Sequence, residues 1–274
     1  ADYPTYPPYH KEDYLEEYFY KFYLKNKKEF DKTGYTYIPI FWTNVYNTNN
    51  NRHLIQPFLN YLPENKKYFT VSQHDDAVAE ILPHNTLSFE AGGNKNGIPI
   101  PLICSPLEVK NKKIKKDIFC SFVGSISEHA TSRVKLYNTY MDDKDFYFNQ
   151  PRQWTAKVPQ NNLDEFINTT LRSEFSLCPR GYGKQSFRFY EVMQLNSIPV
   201  FIYNGDWFPF DKYINWDDFS VVIHENEIES LKEKLLSYTQ EDKNKMLKKG
   251  KEIYKEYFTM EGMSKTILRH LQDL

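Results

Sequence analysis

Short apolar runs of strand character alternate with amphipathic helical stretches along this 274-residue chain, and that alternation predicts an α/β protein built on parallel sheets covered on both faces. Two further observations shape the prediction. The alternation comes in two blocks, before and after about residue 115, which suggests two Rossmann-like units facing each other. After residue 226 only helical patterns remain, so helices close the chain. The expected division is 1–115 for an N-terminal unit and 116–257 for a C-terminal one, with the helix at about 258–274 packing back on the first.

In chain order, Tyr3 to Tyr9 is rich in Pro and Tyr and reads as a surface arm. Residues 12–28 place Tyr14, Leu15, Tyr18, Phe19 and Phe22 at helical spacing. A strand is expected at 36–42, a helix at 53–62 and a strand at 67–73, followed by short strands at 86–92 and 97–103. The cluster Lys110 to Lys116 reads as a solvated linker. The second block predicts strands at 117–125, 145–150, 175–179, 198–203 and 219–225. Between and after them come helices at 132–141, 162–174, 186–196, 226–238, 241–257 and 260–273.

Composition narrows the function classes. Lys and Arg number 35 against 36 Asp and Glu, so the basic excess that sequence-independent nucleic-acid binding needs is absent. Aromatics make 17% of the chain, and rings of roughly 150–250 Å² each supply a core that the aliphatic content alone does not. Cys104, Cys120 and Cys178 are an odd set without CxxC spacing, each in an apolar context, so they read as small buried hydrophobes. No stretch has the length and apolarity of a signal peptide or a membrane span, and the expected setting is soluble and cytoplasmic.

The densest segment for chemistry is Cys178-Pro-Arg-Gly-Tyr-Gly-Lys-Gln-Ser-Phe-Arg-Phe-Tyr-Glu191. It leaves an apolar strand, passes a loop holding Gly181 and Gly183, and opens a helix whose N-terminus favours an anion. Arg180 in the loop and Arg188 in the first helical turn would clamp a diphosphate, and Glu191 would accept from ribose hydroxyls. An ordinary Arg188–Glu191 surface pair is the competing reading. Gly181-x-Gly183-x-x-Ser186 also echoes a dinucleotide fingerprint, with Asp206 after the next strand, which keeps an NAD(P)-dependent oxidoreductase open.

Residues 175–225 resemble the signature region of the exostosin-like glycosyltransferases of family 47. Pro179-Arg180-Gly181, Ser186-Phe187-Arg188, Glu191, Pro199-Val200, Phe208-Pro209-Phe210, Ile214-Asn215-Trp216 and Phe219-Ser220-Val221 match that region in order. Residues 68–75, an apolar strand ending in His74-Asp75, are similar to a plant-member element. Residues 117–133 resemble the family's strand–glycine–arginine element through Gly124 and Arg133. The resemblance implies a GT-B fold, inversion at the anomeric carbon, a UDP-sugar donor in the C-terminal unit and a glycan acceptor, an oligosaccharide or glycoprotein glycan, in the N-terminal one. The chain resembles compact soluble members encoded by large algal viruses more than Golgi members, which implies host cytoplasm and a pentose donor, UDP-xylose. A non-catalytic glycan-binding subunit of a glycosyltransferase pair is the alternative in a different class.

An inverting transfer needs a base for the acceptor hydroxyl and charge stabilisation on the departing diphosphate. Asp75 is the expected base, with Asp76, Glu90 and His74 as alternates; capping of a helical turn over 77–82 is the competing role for the two aspartates. Donor contacts are expected from Gly124, Ser125, Arg133, Arg180, Gly181, Ser186, Arg188 and Glu191. Asn204, Asp206 and Trp207 are expected near the donor sugar. The DxD of Asp143-Lys144-Asp145 precedes an apolar strand where a metal-binding one would follow it, so it reads as a solvated loop, and no metal or cofactor is expected.

Overall fold

The computed structural model describes residues 14–49, 51–93, 97–107, 109, 114–126, 131–149, 155 and 158–274. The Pro/Tyr arm and most of the Lys110–Lys116 cluster lie outside them. The chain divides into two compact units, one of residues 1–105, 208–210 and 256–274, the other of 106–207 and 211–255.

The first unit opens with α1 (Leu15–Lys25) and α2 (Lys27–Asp31), two helices broken at Asn26 where one was expected. Strand β1 is only Tyr35–Tyr37; the Ile38 N–H still reaches the Phe69 carbonyl (2.8 Å), but the Ile40 N–H turns back to the Ile38 carbonyl (3.0 Å), and Trp42 already opens α3 (Trp42–Thr48). The expected helix at 53–62 is a 3-10 turn, Arg52–Leu54, running into α4 (Ile55–Asn60). Strands β2 (Lys67–Ser72), β3 (Thr86–Glu90) and β4 (Ile98–Pro99) complete a parallel sheet of order β1-β2-β3-β4. Its core is aromatic. Phe69 of β2 stacks between Phe30 (5.6 Å) and Tyr37 (5.0 Å), with Phe19 of α1 edge-on to it.

In the second unit β5 (Ile118–Phe122), α5 (Thr131–Tyr140), β6 (Phe146–Phe148), α6 (Gln160–Arg172), β7 (Ser173–Pro179), α7 (Phe187–Gln194), β8 (Ile198–Tyr203) and β9 (Val221–His224) alternate as expected. The predicted helix at 226–238 is a 3-10 segment, Glu225–Ser230, followed by α8 (Leu231–Leu236). Helix α9 (Gln240–Tyr257) follows, and α10 (Met260–Gln272) belongs to the first unit, where it contacts α1 and α2. All pairings are parallel, and the sheet order is β6-β5-β7-β8-β9. Interior strands β7 and β8 are buried over almost their whole length, as a sheet covered on both faces requires. The three cysteines are free and buried.

Two parallel-sheet α/β units with covering helices are the make-up of a GT-B chain. Among the described residues no helix is long and apolar enough to cross a membrane.

Candidate functional site

In the second unit the strands run, in order of the chain, 2-1-3-4-5 across the sheet. The direction of winding reverses between β5 and β7, and ligands of open α/β sheets bind beyond the carboxyl ends of the strands at that reversal. The loops there carry Gly124-Ser125 and Arg180-Gly181.

The post-β5 loop is fixed by its neighbour. Asn149, just past β6 and buried, accepts the Gly124 N–H on Oδ1 (2.7 Å) and donates Nδ2 to the Gly124 carbonyl (3.1 Å). A Cβ on Gly124 would press to 3.1 Å from Nη2 of Arg188 and 3.1 Å from the Phe122 ring, so the glycine admits the guanidinium. Arg188 lies 5.2 Å from the Phe122 centroid and 4.6 Å from that of Phe166, a cation held between two rings.

Arg133, from α5, spans both loops. Its Nε donates to the Arg180 carbonyl (3.2 Å), and its Nη1 to the Ser125 carbonyl (3.1 Å) and Oγ (2.9 Å). A Cβ on Gly181 would stand 3.2 Å from its Nη2. Arg133 thus ties the post-β5 loop to the post-β7 loop. Ser186 caps α7, its Oγ accepting from the Arg188 N–H (3.4 Å). Burial raises the Glu191 carboxyl above its ordinary value while Arg188 pulls it back. Burial also pushes the Cys178 thiol up; Arg188, Glu191 and Arg133 all act on it, so the three charges gather at the end of β7.

Arg180 turns its Nη1 to the carbonyls of Gly181 and Tyr182 (3.3 Å each). Its Nε and the indole Nε1 of Trp207 are buried donors without a hydrogen-bond partner among the described residues. Trp207 closes the loop after β8, where Asn204 is part-buried and Asp206 exposed. Lys184, which the sequence did not single out, brings its Nζ to 3.7 Å from the Cβ position of Gly205. Of the expected donor residues, then, Gly124, Ser125, Arg133, Arg180, Gly181, Ser186 and Arg188 converge at the reversal, and Asn204 to Trp207 form the next loop along.

In the first unit the loop after β2 carries the acids. Asp75 is part-buried and Asp76 exposed. Burial pushes the Asp75 carboxyl up to about 6, with Asp76 adding repulsion. No helix follows: His74 to Ala77 is a turn, closed by the Ala77 N–H on the His74 carbonyl (3.0 Å), with Ala77 at φ 57°. The helix-cap role for the aspartates is therefore corrected. His74 accepts the Asp76 N–H on Nδ1 (3.2 Å) and packs edge-on to Tyr46, and burial lowers its pKa. Glu90, at the end of β3, is buried and accepts from Ser88 Oγ (2.5 Å). A Cβ on Gly92 would overlap the carbonyl oxygens of His74 and Asp75, so the chain after β3 packs backbone to backbone against the acid-bearing loop.

The DxD is an ion-paired anchor, more than a solvated loop: Lys232 of α8 reaches Asp143 at 2.7 Å and Asp145 at 2.8 Å. Among the described residues no group of three or more His, Cys, Asp or Glu stands ready to hold a metal ion.

A winding reversal lined by guanidiniums and glycine-bearing loops is an arrangement chemically suited to an anion. The chain belongs to the exostosin GT47 domain family, whose model matches residues 47–238, well over half of it. It is similar to a probable glucuronoxylan glucuronosyltransferase of Arabidopsis thaliana, 26% identical over 127 residues, 43% of this chain and 26% of that protein. It is 29% identical over 89 residues to human ribitol-5-phosphate xylosyltransferase 1, 31% of this chain and 20% of that protein. The chain thus spans about a quarter or less of these relatives. Among solved structures, the pneumococcal O-GlcNAc transferase GtfA in complex with UDP and GlcNAc superposes with a TM-score of 0.44 at 11% identity, over 82% of this chain and 47% of that one.

Proposed function

We propose that the chain is an inverting, metal-independent glycosyltransferase that moves a sugar from a UDP-sugar to a glycan hydroxyl. The observation that carries the reading is the convergence of Arg133, Arg180 and Arg188 on the winding reversal of the second unit. Arg180 and Arg188, with the N–H groups opening α7, would neutralise the diphosphate as the C1–oxygen bond breaks. Arg133 would hold the two loops in register, and Glu191 would receive the ribose hydroxyls. Asp75 of the first unit would take the acceptor proton as the hydroxyl oxygen attacks C1, leaving UDP and an inverted linkage.

The dinucleotide alternative loses its structural basis. A dinucleotide fingerprint belongs to the first strand–helix turn of its unit, whereas Gly181 and Gly183 follow β7, the third strand of the second unit.

For the donor, the reading favours UDP-xylose. The names of the two relatives, a glucuronosyltransferase and a xylosyltransferase, describe sugars that differ at the exocyclic C6, and buried Trp207 stands in the loop assigned to the donor sugar. A ring there would exclude a hexose by collision; a mere loss of contacts is worth only about 1–3 kcal/mol. The expected setting remains the cytoplasm.

Thermal shift against UDP, UDP-xylose, UDP-glucose and NADH tests the proposal. Ligand at ~100 Kd contributes about 2.7 kcal/mol. UDP and UDP-xylose should raise Tm and NADH should not. Stabilisation by NADH alone would overturn the reading; UDP binding with no turnover on any acceptor would favour a glycan-binding subunit.

A further inference from the structure

The first unit holds a buried carboxylate that the proposed reaction does not use. Glu16, in the first turn of α1, lies on the apolar face of that helix beside Leu15 and Phe19. Its Oε1 accepts from Thr43 Oγ1 (2.8 Å) and from the peptide N–H of Gln73 (2.9 Å). Its Oε2 accepts from the peptide N–H of Thr43 (3.0 Å). Thr43 lies in the first turn of α3, and Gln73 is the first residue after β2, two before Asp75. One side chain therefore joins α1, the start of α3 and the acid-bearing loop.

Burying a carboxylate is costly, and it is retained where several donors converge on it. Burial pushes Glu16 up to about 7, against the hydrogen bonds of Gln73 and Thr43, with Glu17 adding repulsion. At the same loop Gly92 leaves no room for a Cβ between itself and the carbonyls of His74 and Asp75. The backbone of residues 73–75 is held at two points, by a carboxylate on its first N–H and by a glycine against its next two carbonyls.

We propose that Glu16 is a positioning residue that fixes the Gln73–Asp75 loop and thereby the carboxylate of Asp75. The proposal rests on the assignment of Asp75 as the base. Glu16→Gln keeps the volume but offers a single acceptor oxygen and turns an amide group toward donors.

In the full chain, amide exchange at Gln73 should accelerate at least tenfold in Glu16→Gln. With UDP-xylose as donor, kcat should fall about tenfold while the donor KM stays within twofold. Simple loss of folded protein would lower the active fraction without opening Gln73 selectively. Should Glu16→Gln fold poorly, Thr43→Val removes one donor to the same carboxylate, and a smaller change in the same two readouts is expected. Wild-type exchange at Gln73, or wild-type kcat, would overturn the role of Glu16. Wild-type kcat in Asp75→Asn would overturn the base assignment instead, and the exchange result alone would then decide whether Glu16 fixes the loop.

Discussion

The loop after β2 in the first unit and the loop after β7 in the second are built alike and charged in opposite ways. Each leaves a buried parallel strand, and each has a glycine in close contact: a Cβ on Gly92 would overlap the carbonyls of His74 and Asp75, and one on Gly181 would press to 3.2 Å from Arg133. The second unit gathers guanidiniums at its loop, Arg180 within it, Arg133 from α5 and Arg188 from α7, the last stacked on Phe122 and Phe166. The first unit places Asp75 and Asp76 in its loop and Glu16 of α1 against it, and burial lifts Asp75 to about 6 and Glu16 to about 7. Desolvation therefore has different consequences in the two places. It leaves cationic side chains, the proposed diphosphate site, in one unit, and in the other it raises carboxyls toward neutrality, as the proposed base requires.

The largest effect that tests this contrast is at Asp75. A general base contributes about 10²–10⁴-fold, so Asp75→Asn should cost that much in kcat while UDP affinity stays unchanged. The pH dependence has a definite sign. A carboxyl raised to about 6 is protonated below that pH and unable to accept, so kcat/KM of the wild type should fall as pH drops through about 6. An unshifted carboxyl would hold activity to about pH 4. An acid limb that persists in Asp75→Asn would assign the base elsewhere, with Glu90 the next residue to vary.

On the other side of the comparison, Arg188→Met removes the permanent charge while an unbranched side chain fills the space between the rings. Charge-assisted hydrogen bonds contribute about 1.5–3 kcal/mol, so UDP affinity should weaken roughly 10- to 150-fold at every pH, without moving the acid limb. Affinity within twofold of wild type would return Arg188 to a purely structural role.

Legibility in the sequence followed the same divide. Strand β8 at Ile198–Tyr203 was readable because six apolar residues run without interruption, and β1 was over-read because the apolar run continues through Pro39 into a helix that begins at Trp42. The loops assigned to the donor were readable as candidates because the glycines and arginines lie within one strand–loop–helix passage, and a helix N-terminus beside them has a physical meaning. Asn149 was not readable: it acts on a backbone N–H 25 residues away, and nothing in an asparagine after a short strand shows where its amide points. Glu16 acts at a separation of 57 residues. It did leave one signal, an acid on the apolar face of an amphipathic helix, which marks a carboxylate with buried partners.

The smallest expected effect concerns the DxD. Asp143 and Asp145 both pair with Lys232, whose side chain retains 30% exposure, and pairs of that kind contribute about 0–1 kcal/mol. Lys232→Met should therefore lower stability by no more than about 1 kcal/mol and leave transfer from UDP-xylose within twofold. It also strips the two carboxylates of their counter-ion, which is the arrangement a divalent cation would favour. If the arginines of the second unit supply the charge that the leaving diphosphate needs, activity in EDTA should match activity in Mn²⁺ for both wild type and Lys232→Met. Loss of activity in EDTA, restored by Mn²⁺ and enhanced in Lys232→Met, would move charge stabilisation from the guanidiniums to a metal held by Asp143 and Asp145, and would break the contrast between the two loops at its stronger end.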